Sequence, residues 1–412
     1  MSPHPLAPSG VHPTDRTDRT DPTDHLGGTV PLTFEVHSTC GAARRGRLST
    51  PHGVIETPAF MPVGTLGAVK GVPPGELAAA GASIMLANLY HLALRPGIDT
   101  VERLGGLHAF TGWPGPIITD SGGFQVFSLQ TLRKVDEGGV TFRSHLDGSA
   151  LRFTPEGVVA DQERMGVDIA MVLDECPSWP IDERAAAESW RRTLGWARRA
   201  RAAWTGRSGL FGIVQGSAFR GLRERAAAEL AELGFAGHAI GGVSVGEPAG
   251  DRYAVVEWTA PLLPADRPRY LMGVGYPEDI LHAVRSGVDL FDCVLPARNA
   301  RHGVLFVRSG TSEEGVLKIK NARYRDDPRP VDPECGCAAC APGPRQISRA
   351  FLHHLARAGE LTAAVLATGH NLRFYLDFME SLRQAITLGT LSDPFPWSQE
   401  ALNAGSREVL HA

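Results

Sequence analysis

One stretch of this chain reads Phe291-Asp292-Cys293-Val294-Leu295-Pro296-Ala297-Arg298-Asn299-Ala300-Arg301-His302-Gly303, a short apolar run that ends on a carboxylate and then turns basic. An acid at the end of a buried strand, followed by two arginines three residues apart, is typical of a carboxylate that attacks a substrate with anionic flanks. The alternative interpretation is an aspartate that caps a helix beside two solvated arginines. The stretch by itself is compatible with both interpretations.

The composition favours a soluble α/β protein. With 412 residues, 43% hydrophobic and 21% charged, the chain is long enough for one large domain and a smaller appendage. No apolar run approaches the roughly 18 to 20 residues of a membrane helix, and the N-terminus lacks the apolar core of a secretory signal. Six cysteines, three of them crowded together, favour reduced ligands in a cytoplasmic protein over a disulfide framework.

A local excess of positive charge follows the opening stretch, although the net charge of the chain is −4. Two acids, Glu313 and Glu314, accompany seven basic residues there: Arg298, Arg301, Arg308, Lys318, Lys320, Arg323 and Arg325. Because salt screens each charge beyond about 10 Å, a local basic surface can bind phosphate on an acidic protein. A solvated hairpin face is the alternative.

Short apolar runs alternate with helical stretches from Pro58 onward. Eight such repeats predict a closed (β/α)₈ barrel, in which functional residues cluster where the strands end. An open doubly wound sheet is the alternative, but no Gly-x-Gly-x-x-Gly follows the first strand. The predicted strands are Ala59–Val63, Ser83–Ala87, Pro116–Thr119, Ile169–Leu173, Leu210–Val214, His238–Ile240, Arg269–Met272 and Leu290–Asp292.

Additions to the barrel are predicted at both ends and in one loop. Residues 1 to about 30 have almost no large apolar groups, so we expect them to be disordered. Thr33 to Thr57 reads as antiparallel strands and turns. Val140 to Phe153 alternates around Asp147-Gly148 and predicts an inserted hairpin. Another hairpin (Val304–Val307 with Val316–Ile319) and two helical stretches, Gln346–Ala358 and Leu361–Leu388, follow the barrel.

Polar residues follow the predicted strands. Asp120 and a glycine turn follow the third predicted strand, Asp174 follows the fourth, and Gln215 follows the fifth. Asp292 ends the eighth. Unpaired buried carboxylates cost several kcal/mol, so packing alone does not account for this rim. Two alternatives remain: Asp120 can simply hold its turn, and Asp174 can pair with Gln215 as structure.

This set of side chains suits chemistry at a sugar carbon bonded to a flat base. Two carboxylates on different strands can act as nucleophile and general acid/base, as in retaining glycosidases. Further carboxylate and amide groups can bind a donor-rich heterocycle between Phe124 and Met272, although each of these two is more often a core residue. A purine-like base fits better than a hexose.

Cys335, Cys337 and Cys340 stand within six residues of one another. Three thiolates and one histidine complete a closed, structural zinc site. Candidates for the fourth ligand are His353, His354 and His370.

The motifs together resemble the bacterial tRNA-guanine transglycosylases, the queuine tRNA-ribosyltransferases, from about Phe34 to about Arg383. The resemblance rests on Asp120-Ser-Gly-Gly-Phe-Gln, Asp174-Glu-Cys, Val214-Gln-Gly, Gly241-Gly-Val-Ser-Val-Gly-Glu, Phe291-Asp-Cys-Val-Leu-Pro, the three cysteines and Asn88-Leu-Tyr-His-Leu. It implies a catalytic barrel with its N-terminal sheet over residues 31–303, a zinc-binding, tRNA-contacting part over 304–390 and a C-terminal tail over 391–412.

The resemblance also implies a reaction. The wobble guanine of U-G-U anticodon tRNAs (aspartate, asparagine, histidine and tyrosine) is exchanged for 7-aminomethyl-7-deazaguanine in queuosine biosynthesis, by double displacement through a covalent enzyme–tRNA intermediate. Asp292 would be the nucleophile and Asp120 the general acid/base, with Arg298 and Arg301 reading neighbouring anticodon nucleotides. The base-binding residues would be Ser121, Phe124, Asp174, Cys176, Gln215, Gly242, Val243, Glu247 and Met272.

The resemblance assigns the choice of base to the positions of Cys176 and Val245, which here carry the residues of bacterial forms, and it implies that Glu247 accommodates the aminomethyl ammonium. One structural zinc per subunit, with His370 as fourth ligand, and a cytoplasmic homodimer are also implied. The chain departs from the family pattern at Val243 (usually Leu), at Ala297 (usually Thr) and in a gap from Cys340 to His370 that is about four residues longer. A non-catalytic tRNA-binding partner is an alternative, but it would lack the three aspartates. A sugar hydrolase would leave the cysteines and the basic stretch unexplained.

Overall fold

Eight parallel strands close into a barrel in a computed structural model that describes residues 32–129, 132–308, 311–312, 315–344 and 346–391. The predicted (β/α)₈ barrel is therefore confirmed. The predicted disordered tail (1–30) and all but the first residue of the predicted C-terminal tail (391–412) lie outside the described residues.

The strands are numbered in chain order. They are β1 (Thr33–Cys40), β2 (Ala43–Thr50), β3 (Gly53–Thr57), β4 (Ala59–Gly64), β5 (Met85–Asn88), β6 (Ile117–Asp120), β7 (Arg133–Asp136), β8 (Gly139–Arg143), β9 (Ala150–Phe153), β10 (Ile169–Met171), β11 (Gly209–Val214), β12 (Gly237–Ile240), β13 (Arg269–Leu271), β14 (Leu290–Cys293), β15 (Val304–Phe306) and β16 (Val316–Lys318). The barrel order is β4-β5-β6-β10-β11-β12-β13-β14, and β14 pairs with β4 to close it.

The helices are numbered in the same way. They are α1 (Pro74–Ala79), α2 (Leu89–Leu94), α3 (Ile98–Arg103), α4 (Gly106–Thr111), α5 (Gly123–Ser128), α6 (Pro155–Arg164), α7 (Glu183–Ala203), α8 (Arg220–Ala231), α9 (Ala249–Thr259), α10 (Pro277–Arg285), α11 (Leu295–His302), α12 (Arg349–Ala358) and α13 (Leu361–Leu388). Side-chain caps fix the start of α7 and α12: Asp182 accepts from the Ala185 N–H at 2.9 Å before α7, and Ser348 accepts from the Phe351 N–H at 3.1 Å before α12.

The barrel strands are short and apolar because helices cover the outside of the sheet. All six residues of β11 are buried, which is the pattern of a parallel strand enclosed on both faces. The strand register determines which residues lie at the carboxyl rim of the barrel. Asn88 at the end of β5 pairs with Asp120 at the end of β6, and Asp292 in β14 pairs with Met61 in β4. Both aspartates therefore sit at the carboxyl ends of their strands.

The insertion after β6 is larger than predicted. The expected hairpin is formed by β8 and β9, but β7 adds a third antiparallel strand. Its sequence, Arg-Lys-Val-Asp, carries three charges and so lacks an apolar strand pattern. Asp147 and Gly148 lie in the wide loop between Arg143 and Ala150, where Asp147 accepts from the Ser149 N–H at 3.1 Å.

The chain after the barrel packs around a second apolar cluster. The hairpin of β15 and β16 and the helices α12 and α13 are as predicted. This cluster includes Leu305, Leu317, Tyr324 and the three cysteines, while α13 packs against α11, β4 and the N-terminal sheet. Among the described helices, none is long and apolar enough to cross a membrane.

Candidate active site and metal centre

Three aspartates come together at the carboxyl rim of the barrel. Asp120 ends β6, Asp292 lies in β14, and Asp174 follows β10 by three residues. The charges of Asp292 and Asp174 both act on Asp120 and raise its pKa. No described Lys, Arg or His lies within 4.0 Å of any of the three carboxylates, so the protein supplies the rim with neutral hydrogen-bond donors only.

Asp120 is held by its neighbour β5. Its Oδ1 accepts from the Leu89 N–H at 2.9 Å, and its Oδ2 is hydrogen-bonded to the Asn88 amide. Burial, followed by the charge of Asp292, raises the pKa of Asp120 to about 7. A carboxyl with this pKa can both donate and accept a proton at neutral pH. The Gly122 backbone is also hydrogen-bonded to Asp120, so Asp120 holds its glycine turn as well, and its catalytic role stays a prediction.

Asp292 has one oxygen held and one free. Oδ1 accepts from the Tyr270 hydroxyl at 2.6 Å and from the Gly273 N–H at 2.8 Å, whereas no described group donates to Oδ2. Burial raises the pKa of Asp292 although both donors act against it. Tyr270 is fully buried, and burial and the nearby Asp292 raise its pKa well above 10, so it stays protonated as a donor.

Asp174 pairs with Gln215, as the structural alternative anticipated. Its Oδ2 accepts from the Gln215 Nε2 at 2.6 Å, and Ser121 Oγ lies 3.4 Å from Oδ1. Burial raises the pKa of Asp174 to about 6. The pairing is incomplete, however, because Gln215 Oε1 is buried without a partner. Gly123 makes room for the carboxylate, since a Cβ there would lie 1.8 Å from Asp174 Oδ1.

The loop after β12 is anchored by Glu247. The Glu247 carboxylate, only 4% exposed, accepts from the backbone N–H groups of Ser244 at 2.5 Å and Val245 at 2.9 Å. The sequence predicts that Glu247 contacts a ligand. In the structure its carboxylate instead holds the loop that contains Gly242 and the buried Val243. A contact with an ammonium group stays a prediction.

The remaining residues predicted for the base differ in exposure. Phe124 on α5 is 55% exposed, so a planar ligand can reach its face. Met272, just after β13, is partly buried against the barrel core. Cys176 is buried and burial raises the pKa of its thiol, so at neutral pH it adds no charge to the rim.

The two predicted RNA-reading arginines lie on α11, directly after the strand of Asp292. Arg301 donates to the Ala297 carbonyl at 2.8 Å, and no described carboxylate lies within 4.0 Å of Arg298 or Arg301. A small, solvent-open cavity adjoins this helix, and Lys70, Ala297 and Arg301 line it. The departure at Ala297 therefore falls on a surface where Lys70 and Arg301 have no carboxylate partner in the described part of the chain.

Sequence reasoning missed three of these contributors. Tyr270 was read as part of a core strand, Asn88 was quoted only as part of a motif, and Lys70 was not singled out. A polar residue at the last position of a predicted strand was a usable signal for Asn88. Tyr270 offered none, because its partner Asp292 lies on the neighbouring strand.

The predicted metal site is the cluster of three cysteines and one histidine. The ligand atoms of Cys335, Cys337, Cys340 and His370 are buried and lie within 4.8 Å of one another, so the four can hold a metal ion. His370 Nδ1 is 3.6 Å from Cys337 Sγ and 3.4 Å from Cys340 Sγ. Tetrahedral zinc would separate sulfur and nitrogen ligands by about 3.6 Å.

The histidine of this cluster is oriented by a carbonyl. His370 Nε2 is 2.7 Å from the Phe306 oxygen; a carbonyl only accepts, so Nε2 carries the proton and Nδ1 is free for a metal. Of the other candidates, His353 instead contacts the Ile319 carbonyl at 2.8 Å.

The barrel and its rim define a (β/α)₈-barrel enzyme, because buried carboxylates of raised pKa gather where such barrels carry their active sites. Comparison with known proteins narrows the class. Residues 39–396 match the family model described as queuine tRNA-ribosyltransferase.

Individual relatives agree with the family model. A queuine tRNA-ribosyltransferase from Cereibacter sphaeroides is 52% identical over 367 residues, 89% of this chain and 95% of that protein. One from Nitrosospira multiformis is 52% identical over 365 residues (88% and 97%), and one from Desulforudis audaxviator is 54% identical over 346 residues (84% and 91%). The chain belongs to the queuine tRNA-ribosyltransferase family of glycosyltransferase-type enzymes.

Proposed function

We propose that this chain exchanges the wobble guanine of U-G-U anticodon tRNAs for 7-aminomethyl-7-deazaguanine, in queuosine biosynthesis. The observation that carries the proposal is the rim itself. Asp120 and Asp292 have raised pKa values and no described cation as partner, beside a wall of amide and peptide groups that suits a purine edge. Family membership supports tRNA and a base as the two substrates.

In the first half of the proposed reaction, Asp292 Oδ2 attacks the ribose C1′ and the bond from C1′ to the guanine nitrogen breaks. Tyr270 and Gly273 fix Oδ1, so the free oxygen is the one that points to the substrate. Asp120, in its protonated form, gives its proton to the departing guanine. A covalent ester between Asp292 and the ribose results.

In the second half, the incoming base loses a proton to the Asp120 carboxylate and its nitrogen attacks C1′. The ester bond breaks and Asp292 leaves as a carboxylate. The proton lost in the first half is thus regained in the second. A pKa of about 7 for Asp120 suits both directions, since each form is populated at neutral pH.

The base is proposed to bind edge-on to Asp174, Gln215 and Gly242, with Ser121 behind Asp174. With a pKa of about 6, Asp174 is largely a carboxylate at neutral pH and accepts N–H groups. The unpartnered Gln215 Oε1 gains a donor when the base binds. Phe124 and Met272 would stack on its two faces.

Preference for the aminomethyl base is proposed to follow from Cys176, Val243 and the Glu247 loop. The Glu247 carboxylate already holds two N–H groups, so it would act on the base's substituent mainly through the peptide groups at Val243 and Ser244. The Glu247 carboxylate also lies 3.7 Å from the Arg252 guanidinium, so a cationic substituent would share its negative charge with Arg252.

The tRNA is proposed to lie along α11 and the part of the chain over residues 304–390. Arg298 and Arg301 would contact the nucleotides beside the exchanged one. The target base must leave its stack to reach the rim, as bases in unpaired loops readily do. We further propose that the protein is a cytoplasmic homodimer.

The metal is proposed to be one structural zinc ion per chain, held by Cys335, Cys337, Cys340 and His370. All four ligand positions are then protein atoms, so the ion stabilises the fold and takes no part in the reaction. Metal analysis of the purified protein is expected to give one zinc per chain, and His370→Ala less than one. A wild-type protein without zinc would contradict the assignment.

Exchange of labelled guanine in a U-G-U anticodon stem-loop tests the proposed function. We expect release of the label with 7-aminomethyl-7-deazaguanine as second substrate, and no release from a stem-loop whose U-G-U is replaced. Queuine serves as the competitor. Incorporation of queuine alone would overturn the assigned base, and no exchange with either base would overturn the proposed activity.

A further inference from the structure

Arg223 on α8 is a fully buried arginine behind the proposed base site. Its guanidinium donates to three carbonyls: Val214 at 3.0 Å, Ser217 at 2.8 Å and Gly242 at 3.3 Å. No described carboxylate lies within 4.0 Å of it. Peptide dipoles are therefore its direct partners, and the charge of Glu247 acts on it only from a longer distance.

Such an arrangement is costly for a side chain that serves only packing. A buried charge without a counter-ion in direct contact carries a large desolvation penalty. Burial lowers the pKa of Arg223 to about 10, so the group remains a cation at neutral pH and the penalty persists. By contrast, the buried Arg44 near the opposite end of the barrel has the carboxylate of Asp289 as its partner.

The three carbonyls belong to the two loops that build one wall of the proposed pocket. Val214 is the last residue of β11 and precedes Gln215, and Ser217 lies in the same loop. Gly242 lies in the loop after β12. One guanidinium thus ties together the loops that present Gln215 and Gly242.

Both loops contain a strained residue. Ser217 has φ +49° and Ser244 has φ +59°, and in the described part of the chain no other non-glycine residue has a positive φ. The Ser217 carbonyl is held by Arg223 and the Ser244 N–H by Glu247. Strained backbone persists where surrounding contacts over-determine it, commonly beside functional sites.

We propose that Arg223 is a positioning residue that aligns Gln215 and Gly242 with the edge of the bound base. The inference rests on the proposed function. Arg223 bonds to neither β6 nor β14, which carry Asp120 and Asp292. It therefore acts mainly on affinity for the free base. The wobble guanine of the tRNA uses the same wall, but the proposed contacts along α11 and residues 304–390 also hold the tRNA, so tRNA binding and the displacement at C1′ should change little.

Steady-state base exchange with Arg223→Met tests this, with guanine and tRNA varied separately. We expect the KM for the base to rise about 10-fold, the size expected when one or two hydrogen bonds to a ligand are lost. The KM for tRNA and kcat should change less than about twofold. Arg223→Lys, which keeps the charge and can reach part of the carbonyl set, should recover part of the base affinity.

Arg269→Met is the matched control. Arg269 is also buried, and its guanidinium donates to the carbonyls of Leu263 and Gly287 at the opposite end of the barrel. It should lose a similar amount of thermal stability with an unchanged KM for the base. If both variants change the KM for the base equally, or if folded Arg223→Met keeps the wild-type value, the positioning role is wrong.

Two further outcomes are separable. If Arg223→Met does not fold, the ratio of the base KM values of Arg223→Lys and Arg269→Lys decides: a ratio near one contradicts the proposal, and a several-fold excess for Arg223→Lys supports it. Failure of the wild-type protein to exchange guanine would instead remove the proposed function on which this inference depends.

Discussion

The aspartates at the two ends of the barrel have different kinds of partner. At the carboxyl rim, Asp120, Asp174 and Asp292 have neutral donors as partners. At the amino end, Asp168 and Asp289 are neutralised by cationic or titratable groups. The residue type is the same and all but the half-buried Asp292 are buried, so the difference lies in which partner groups each end provides.

The amino end pairs its carboxylates fully. Asp289 binds the buried Arg44 and accepts from the Arg269 N–H at 2.7 Å. Asp168 accepts from His52 at 2.9 Å and His108 at 3.1 Å, whose rings stack with centroids 3.6 Å apart. Burial favours the neutral acid at Asp168, but the hydrogen bonds from both histidines and from the Ile117 N–H outweigh it and lower its pKa.

The contrast distinguishes aspartates that stabilise the fold from aspartates that can take part in a reaction. A paired carboxylate stabilises the fold and loses its capacity to take a proton or attack a carbon near neutral pH. An unpaired one costs stability and keeps that capacity. The carboxyl rim should therefore be replaceable with little loss of folding and large loss of activity, and the amino end the reverse.

The largest expected effect is that of Asp292→Asn. An amide cannot form the ester, so base exchange should fall at least about 1,000-fold, as for other lost nucleophiles. The melting temperature should stay at or above that of the wild type, because a desolvated acid is replaced by a neutral group. Activity assays and thermal unfolding on the same preparation measure both. A large drop in melting temperature would break the comparison.

Asp289→Asn is the opposite case. It leaves the Arg44 guanidinium buried without a counter-ion, which should cost about 3–5 kcal/mol of unfolding free energy. Exchange per folded molecule should remain near the wild-type value. Urea unfolding measures the free energy, and loss of activity in fully folded protein would show that this end also serves the reaction.

The pH dependence of stability should have opposite signs at Asp120 and Asp168. Asp289 does not follow Asp168, because burial raises its pKa in spite of Arg44. Asp120, with a folded pKa of about 7 against about 3.9 unfolded, binds more protons when folded. Stability therefore falls between about pH 4 and 7, by up to about 1.4 kcal/mol per unit. Asp168, with its pKa lowered, binds more protons when unfolded, so its contribution is lost as pH falls below about 4.

Asp120→Asn and Asp168→Asn test the two signs by urea unfolding. Asp120→Asn should gain stability relative to the wild type as pH rises from 5 to 7. Asp168→Asn should be less stable than the wild type at pH 7, with the difference shrinking in acid. Parallel curves for Asp120→Asn and the wild type would show that Asp120 is ionised throughout this range.

The smallest expected effect concerns the cations. Arg301 has no carboxylate partner among the described residues, unlike Arg44, and should be available to RNA. Arg301→Ala should weaken stem-loop binding by about 1–3 kcal/mol and relax discrimination at one anticodon position if it contacts a base edge. If it contacts phosphate, all sequences weaken alike and the salt dependence drops by about one charge. Unchanged binding would exclude Arg301 from the interface.

The strands were the predictable part of this fold. Parallel strands enclosed on both faces must be apolar, so eight runs such as Leu210–Val214 could be read within a residue or two. The three rim aspartates stood out because they end such runs. The strand β7 did not, since charged residues supply three of its four positions.

Partners across strands were not predictable. Tyr270 reaches Asp292 only because β13 and β14 are neighbours with a fixed register. Arg223 lies in a helix whose pattern gives no sign that it faces two loop carbonyls. Glu247 was placed near the base, but its hold on the Ser244 and Val245 N–H groups depends on backbone geometry that no motif encodes.

The central claim is that Asp292 is the nucleophile, and trapping of a covalent adduct tests it most directly. Wild-type protein mixed with a U-G-U anticodon stem-loop should give a species that survives denaturing electrophoresis, whereas Asp292→Asn should bind the stem-loop with similar affinity and give none. An adduct of undiminished yield in Asp292→Asn would contradict the account.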